Sequence, residues 1–287
     1  MRERWTQTLR IGVARSGIGL ISTRSWPFGK SPVLAAHSVL SDSSDPLRAA
    51  GSLLRETLQA HAVRGLLARI VLCDTLVRLF MVTPPRNAAR LQDTRAAAEM
   101  RFGTLYDDAP AQWHLDADWD SRHPFLVCAM PRDLRDSLLE AAQSAGLRVV
   151  EMLPQFVVAL NRWHRVLAPH DWLGVVHANR LTLGIPQNGR LVSVRVLPST
   201  QMAELDATAL APLLTQEALR MAQPQPQHLR LCGMVPPRWL VPEADGLRLS
   251  RLGVIPAAGL AQRAERSAPA ADLDQPGLAL AATGMRA

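Results

Sequence analysis

One order of elements occurs twice along this 287-residue chain, and few folds accommodate such a repeat. In the first half, "LRIGVA" and "IGLIST" read as two strands joined at Arg15, Ser16 and Gly17, where glycine supplies the positive φ of a tight hairpin. A third strand follows, and then "SDSSDPLRAAGSLLRETLQAHAVRG" reads as a helix. It has an Asp/Ser cap, an early proline, Leu47, Leu54 and Leu58 at helical spacing, and Gly65 as its stop. In the second half, "DWLGVVHA", "RLTLGIP" and "RLVSVRVLP" read as three strands, the last two joined through Asn188-Gly189, with a helix from about Thr200 to Ala222. Strands alternating with helices come next in both halves, which implies a largely parallel sheet. Residues 9–167 and 172–287 therefore read as a structural duplication of an α/β fold.

The rest of the first half is longer. "LLARIVLCDTLVRLFMVTPP" gives two strands around Asp74-Thr75, and a polar helix spans roughly Arg86 to Phe102. "AQWHLDADW" alternates as an edge strand, whereas "HPFLVCAM" reads as a strand buried on both faces. "PRDLRDSLLEAAQSAG" is a helix with Leu134, Leu138 and Ala142 on one face, stopped at Gly146; "LRVVEML" and "PQFVVALNRWHRVL" add a strand and a helix. Near the other end, "HLRLCG" and "DGLRLSRL" read as strands, "RAERSAPAADLDQPG" as a linker and "GLALAATGMRA" as a small-residue helix.

Composition narrows the function classes. Hydrophobic residues make up 48%, enough for a substantial core. The net charge of +7 comes from basic residues scattered singly, nearly all arginine with Lys30 the one lysine. A nucleic-acid partner would need them clustered with aromatics, so none is expected. Cys73, Cys128 and Cys232 lack metal-ligand spacing and read as small buried hydrophobes, so no metal site is expected. Asp107, Asp108, Asp116, Asp118 and Asp120 read as a solvated edge. No apolar run reaches the roughly 20 residues of a membrane span, and no signal peptide is evident.

The duplicated order resembles the architecture of the actin-like superfamily of sugar kinases, Hsp70 and actin, a ribonuclease H-like fold in two lobes. Four passages resemble the actin-like assembly proteins of type IV pili and type II secretion systems, the PilM group and the cytoplasmic domain of GspL. They are "IVLCDTLVRLFMVTPP", "FLVCAMPRDLRDSLLEAAQSAGLRVVEMLPQFVVALNRW", "WLGVVHANRLTLGIPQNGRLVSVRVLP" and "LALAATGMRA". The resemblance implies a first actin-like domain over 1–168, with an inserted subdomain at about 76–122. It implies a second over 169–287, with a linker at about 263–276 and a closing helix. GspL-type proteins continue into a membrane span, whereas this sequence stops at Ala287.

The same resemblance places a nucleotide cleft at Ala14, Arg15, Ser16 and Gly17 in the first hairpin, at Asn179, Arg180 and Thr182 in the second, and at Gly233 after a later strand. Nucleotide-binding relatives carry an Asp at the position of Ala14, and "VVHANRLT" likewise lacks a carboxylate. The cleft is expected to be degenerate: no catalytic residue, no metal and no required cofactor, with room for weak ATP binding through Arg15 or Arg180. The expected role is a non-catalytic cytoplasmic scaffold, peripheral at the inner membrane. It binds the cytoplasmic tail of a PilN-like single-pass protein, and other pilus or secretion platform subunits, through Arg78, Trp113 and Trp119. Any contact with the membrane is indirect. The alternative is a divergent actin-like ATP-binding protein or kinase.

Overall fold

The computed structural model describes residues 7–26, 29–39, 46–61, 63–86, 88, 90–177, 180–197, 206–253 and 276–283. Contacts divide the chain into two compact units. One comprises Met1–Leu76, Pro131–Val158 and Val254–Ala287, the other Val77–Met130 and Ala159–Gly253.

The first unit is built on a five-stranded sheet. Strands β1 (Gln7–Ala14), β2 (Gly17–Trp26) and β3 (Gly29–Val39) form an antiparallel meander. Then β4 (Leu67–Leu72) joins β1 in parallel and β8 (Arg148–Pro154) joins β4, giving the order β3-β2-β1-β4-β8. The sheet is therefore mixed, correcting the expectation of a largely parallel one: each hairpin reverses the chain before the first crossover helix. Helix α1 (Pro46–Gln59) ends before Gly65 at φ +80°, and α3 (Arg132–Ser144) before Gly146 at φ +72°. The two pack side by side so closely that a Cβ on Gly51 would lie 2.6 Å from that of Ser137.

The terminal helix α6 (Pro276–Ala282) belongs to this first unit, not with the second half where the sequence places it. The reason lies in the glycines. Gly12 and Gly19 are cross-strand partners, and a Cβ on Gly12 would sit 2.0 Å from the Gly277 oxygen and 2.5 Å from the Ala281 nitrogen. On Gly19 it would sit 2.3 Å from Gly277. The helix thus lies backbone-on-backbone against the hairpin, with Leu278, Leu280 and Ala281 fully buried. The Arg10 guanidinium, two residues along the same strand face, donates to the Thr283 carbonyl just past the helix end. Leu9, Ile11 and Val13 project from the opposite face and are also fully buried.

The second unit repeats the topology. Strands β9 (Asp171–His177), β10 (Arg180–Gln187) and β11 (Arg190–Leu197) form the meander. In parallel, β12 (His228–Gly233) adds to β9 and β14 (Leu247–Arg251) to β12, while the two-residue β13 (Glu243–Ala244) closes the order β11-β10-β9-β12-β14-β13. Asn188 and Gly189, at φ 51° and 75°, make the expected two-residue turn. Helix α5 (Ala207–Arg220) is capped by Asp206, which accepts from the Ala209 amide at 3.0 Å, and buries Ala207, Leu210, Leu214 and Ala218 with Trp172 and Trp239.

A three-stranded sheet in the same unit, ordered β5-β7-β6, is formed by β5 (Arg78–Val82), β6 (Trp113–Ala117) and β7 (Phe125–Pro131). It is covered by α2 (Leu91–Tyr106), whose Ala98 and Phe102 pack on Phe80, Phe125 and Val127. The expected edge strand is β6. The expectation that β7 is buried on both faces fails: it alternates, with Leu126 and the thiol-bearing Cys128 half-exposed, because α2 covers one side only. The four residues α4 (Gln155–Trp163) gives to the first unit begin at Gln155, which is fully buried.

The glycine contact carries a direct test. Replacing Gly12 by valine puts three carbons where helix backbone already lies and should cost about 2 kcal/mol or more in urea unfolding. Gly103 sits inside α2 with nothing within 4 Å of a Cβ, so Gly103→Ala should raise stability by about 0.5–1 kcal/mol.

Candidate functional site

The first hairpin closes on the pair Ala14 and Gly17, leaving Arg15 and Ser16 exposed at the turn. None of these residues has a positive φ, so Gly17 is not there to permit a left-handed turn, as the sequence suggests. The hairpin's conformational demand falls instead on Gly12 and Gly19 beneath α6. Ala14 is buried, and one guanidinium nitrogen of Arg15 donates to the Thr75 carbonyl at 3.4 Å.

The second hairpin superimposes on the first by register. It closes on His177 and Arg180 as the first closes on Ala14 and Gly17. After the adjoining parallel strand, the Cys73 amide donates to the Val13 carbonyl at 2.9 Å, and the Met234 amide donates to that of Val176 at 2.9 Å. His177 therefore occupies the place of Ala14, Thr182 that of Gly19 and Gly233 that of Leu72. Among the expected cleft residues of this unit, Arg180 is half-exposed, Thr182 is buried opposite Val175, and Gly233 takes φ +89° beside Val176. Asn179 lies outside the described residues.

His177 was not singled out by sequence, and its place is the informative one. It is 3% exposed, and neither ring nitrogen has a hydrogen-bond partner among the described residues. Burial pushes its pKa down to about 4, so the ring is neutral at physiological pH. A methyl group at Ala14 and a neutral, buried imidazole at His177 offer no oxygen to a hard cation, so the two closing positions do not fit a magnesium-bound nucleotide. Aligning "VARSG" with "VHANR" at their closing residues would have exposed the equivalence.

A second residue read as a mere turn proves structural. Asp74 is buried, and its Oδ1 accepts from the Phe156 amide at 2.9 Å, capping the first turn of α4. Next to it, Gln155 Nε2 reaches Thr283 Oγ1 at 3.4 Å.

The expected partner-binding residues divide. Arg78 and Trp113 come together: the Arg78 guanidinium carbon lies 4.9 Å from the Tyr106 ring centroid and 5.7 Å from that of Trp113. Trp119 is elsewhere in the same small sheet, 6.0 Å from Phe125 and beneath Arg95 at 5.4 Å. Both tryptophans are half-buried against the subdomain core. Among the described residues no group of three or more His, Cys, Asp or Glu could hold a metal. The acidic run instead serves local structure: Asp108 accepts from Trp113 Nε1 at 3.0 Å, and Asp120 accepts from Arg190 at 2.8 Å and from His123 at 3.0 Å. No helix of the described residues is long and apolar enough to cross a membrane.

No family model matches the sequence, nor does any curated protein. Solved structures do match. A chain of the PilM–PilN type IV pilus biogenesis complex aligns over 96% of this chain and 96% of its own, with a TM-score of 0.60 at 17% identity. A Bacteroides thetaiotaomicron protein of actin-like ATPase fold aligns over 81% and 84%, with a TM-score of 0.53 at 10% identity. The fold is actin-like. The cytoplasmic domain of EpsL, an inner membrane component of the Vibrio cholerae type II secretion system, shares it over 92% of this chain and 96% of that one, with a TM-score of 0.57 at 12% identity. The actin-like fold accounts for the repeated sheet order, and it makes the closing residues of the two hairpins the positions to compare.

The buried imidazole gives a pH dependence of definite sign. The unfolded chain binds a proton at His177 below about pH 6.5, whereas the folded chain resists it down to about pH 4. Its contribution is therefore fully present above pH 6.5 and lost as pH falls, by up to about 3 kcal/mol at pH 4. His177→Leu should be near neutral at pH 7 and increasingly stabilising toward pH 4 in urea unfolding. A difference that stays constant with pH would remove the buried neutral imidazole from the account.

Proposed function

We propose that this chain is a non-catalytic, cytoplasmic component of an inner-membrane assembly platform for a type IV pilus or type II secretion system. It is peripheral at the membrane and holds the cytoplasmic tail of a single-pass partner related in role to PilN. The likeness to a chain of the PilM–PilN complex over 96% of both chains is the observation that supports this most. The hairpins support the non-catalytic part: with Ala14 and His177 at the closing positions, neither of these positions supplies a carboxylate to organise magnesium or orient a hydrolytic water. Neither ATP nor a metal is part of the proposed function.

The test is capture from detergent-solubilised membranes of the native cells, followed by direct titration with a synthetic peptide of the captured protein's tail. The expected result is a single-pass inner-membrane protein whose tail peptide binds the purified chain, with an affinity unchanged by Mg-ATP. Magnesium-dependent ATP turnover that Arg15→Ala abolishes would overturn the reading in favour of a divergent ATPase. So would the absence of any tail that binds.

A further inference from the structure

Three adjacent parallel strands of the second unit carry a side-chain cluster away from the hairpin ends. Register places His228 of β12 beside Asp171 of β9, and Arg230 beside Ser250 of β14. Leu229, Leu231 and Leu249 turn into the core with α5, so strand alternation puts His228, Arg230 and Ser250 together on the other face. The cluster stands where β9 and β12 begin, whereas His177 and Gly233 stand where they end.

The hydrogen bonds run in one direction. Arg230 Nε donates to Asp171 Oδ2 at 3.0 Å and its Nη1 donates to Ser250 Oγ at 3.1 Å; an arginine has no acceptor, so the serine oxygen accepts there. Ser250 Oγ also lies 2.9 Å from His228 Nε2. On the other side of the ring, Nδ1 lies 3.6 Å from Asp171 Oδ1, a charge contact longer than a hydrogen bond. Burial above all, then Arg230 and Arg248, hold the His228 pKa below the ordinary histidine value against the pull of Asp171. The ring is therefore neutral at pH 7, with its one proton on Nδ1 facing the carboxylate, and Nε2 is left to accept from the serine hydroxyl. Asp171 is fixed in turn: buried, it also accepts from the Ala168 amide at 2.9 Å.

A serine hydroxyl aimed at a neutral imidazole, whose far nitrogen faces a buried carboxylate, has the parts that turn a serine into a nucleophile. Arg230 adds to them, since a guanidinium at the oxygen favours the alkoxide. We propose that Ser250 is a site of covalent modification by activated acyl esters, with His228 as its base. Oγ attacks the carbonyl carbon and forms the new C–O bond; the bond from that carbon to the leaving oxygen breaks, and the leaving group departs with the electron pair. The serine proton passes to His228 Nε2 and from there to solvent. Ser250 and His228 are partly exposed, so the reagent must be small. The proposal is independent of the assembly role above, which needs no such reaction and stands whether or not Ser250 is acylated.

The probe is p-nitrophenyl acetate added to the full chain, with release of p-nitrophenolate followed by absorbance and the acetylated residue located by peptide mass spectrometry. The expected result is one rapid equivalent of p-nitrophenolate per chain and an acetyl group on Ser250. The rate should rise with pH and then level off, with a midpoint below the ordinary histidine value of about 6.5. His228→Gln should acylate about a hundredfold more slowly. Ser250→Ala should lose the rapid equivalent while still unfolding cooperatively in urea, and Ser193→Ala, at a separate place on β11, should react as the unaltered chain does. Acetylation confined to the cysteines or Lys30, a rate that His228→Gln leaves unchanged, or a rate that climbs into alkaline pH without levelling would overturn the proposal.

Discussion

The close approach of Gly277 to Gly12 and Gly19 is the constraint on which the first unit depends. Two strands and a helix meet there with no side chain between them, at distances a single Cβ would make impossible. With that contact in place, Arg10 can reach the end of the helix, Gln155 can meet Thr283, and one face of the five-stranded sheet is sealed. The second sheet has Val175 and Thr182 at the equivalent places, so the same close helix contact is not available there. The two halves share a topology while differing in how that face is built.

That divergence extends to the hairpin ends. Duplicated sheets bring equivalent strand termini to equivalent positions, and in this chain those positions hold a methyl group and a neutral imidazole. Carboxylates there would need a cation or a hydrogen-bonding partner to be tolerated in such burial. The small sheet, by contrast, gathers aromatic rings and the arginines that lie over them.

Much of this was legible in the residues. The strand and helix order, the Asn188-Gly189 turn, the stops at Gly65 and Gly146 and the edge position of β6 all follow from local chemistry, in which one residue type satisfies one backbone demand. What was not legible depended on distance along the chain. The pattern of "HPFLVCAM" is apolar enough for a fully buried strand; among the described residues α2 covers only the other face, and Leu126 and Cys128 stay partly exposed. Gly12 and Gly19 looked like hairpin residues because their reason, a helix some 260 positions later, leaves no mark near them. Asp74 looked like a turn residue for the same cause, its partner being the Phe156 amide. At the candidate site, the lack of a carboxylate in "GVARSG" is plain in the sequence, but the equivalence of His177 to Ala14 needed the strand register.

The pairing of Arg10 with Thr283 spans 273 positions. During synthesis the first hairpin leaves the ribosome early, with its glycine face bare, and α6 emerges after every other described residue. The first unit cannot close that face until translation has reached the last helix, so the intervening chain must form around an unfinished sheet. Nascent chains caught before that point would present an exposed, side-chain-poor strand surface, the kind of surface that chaperones must shield.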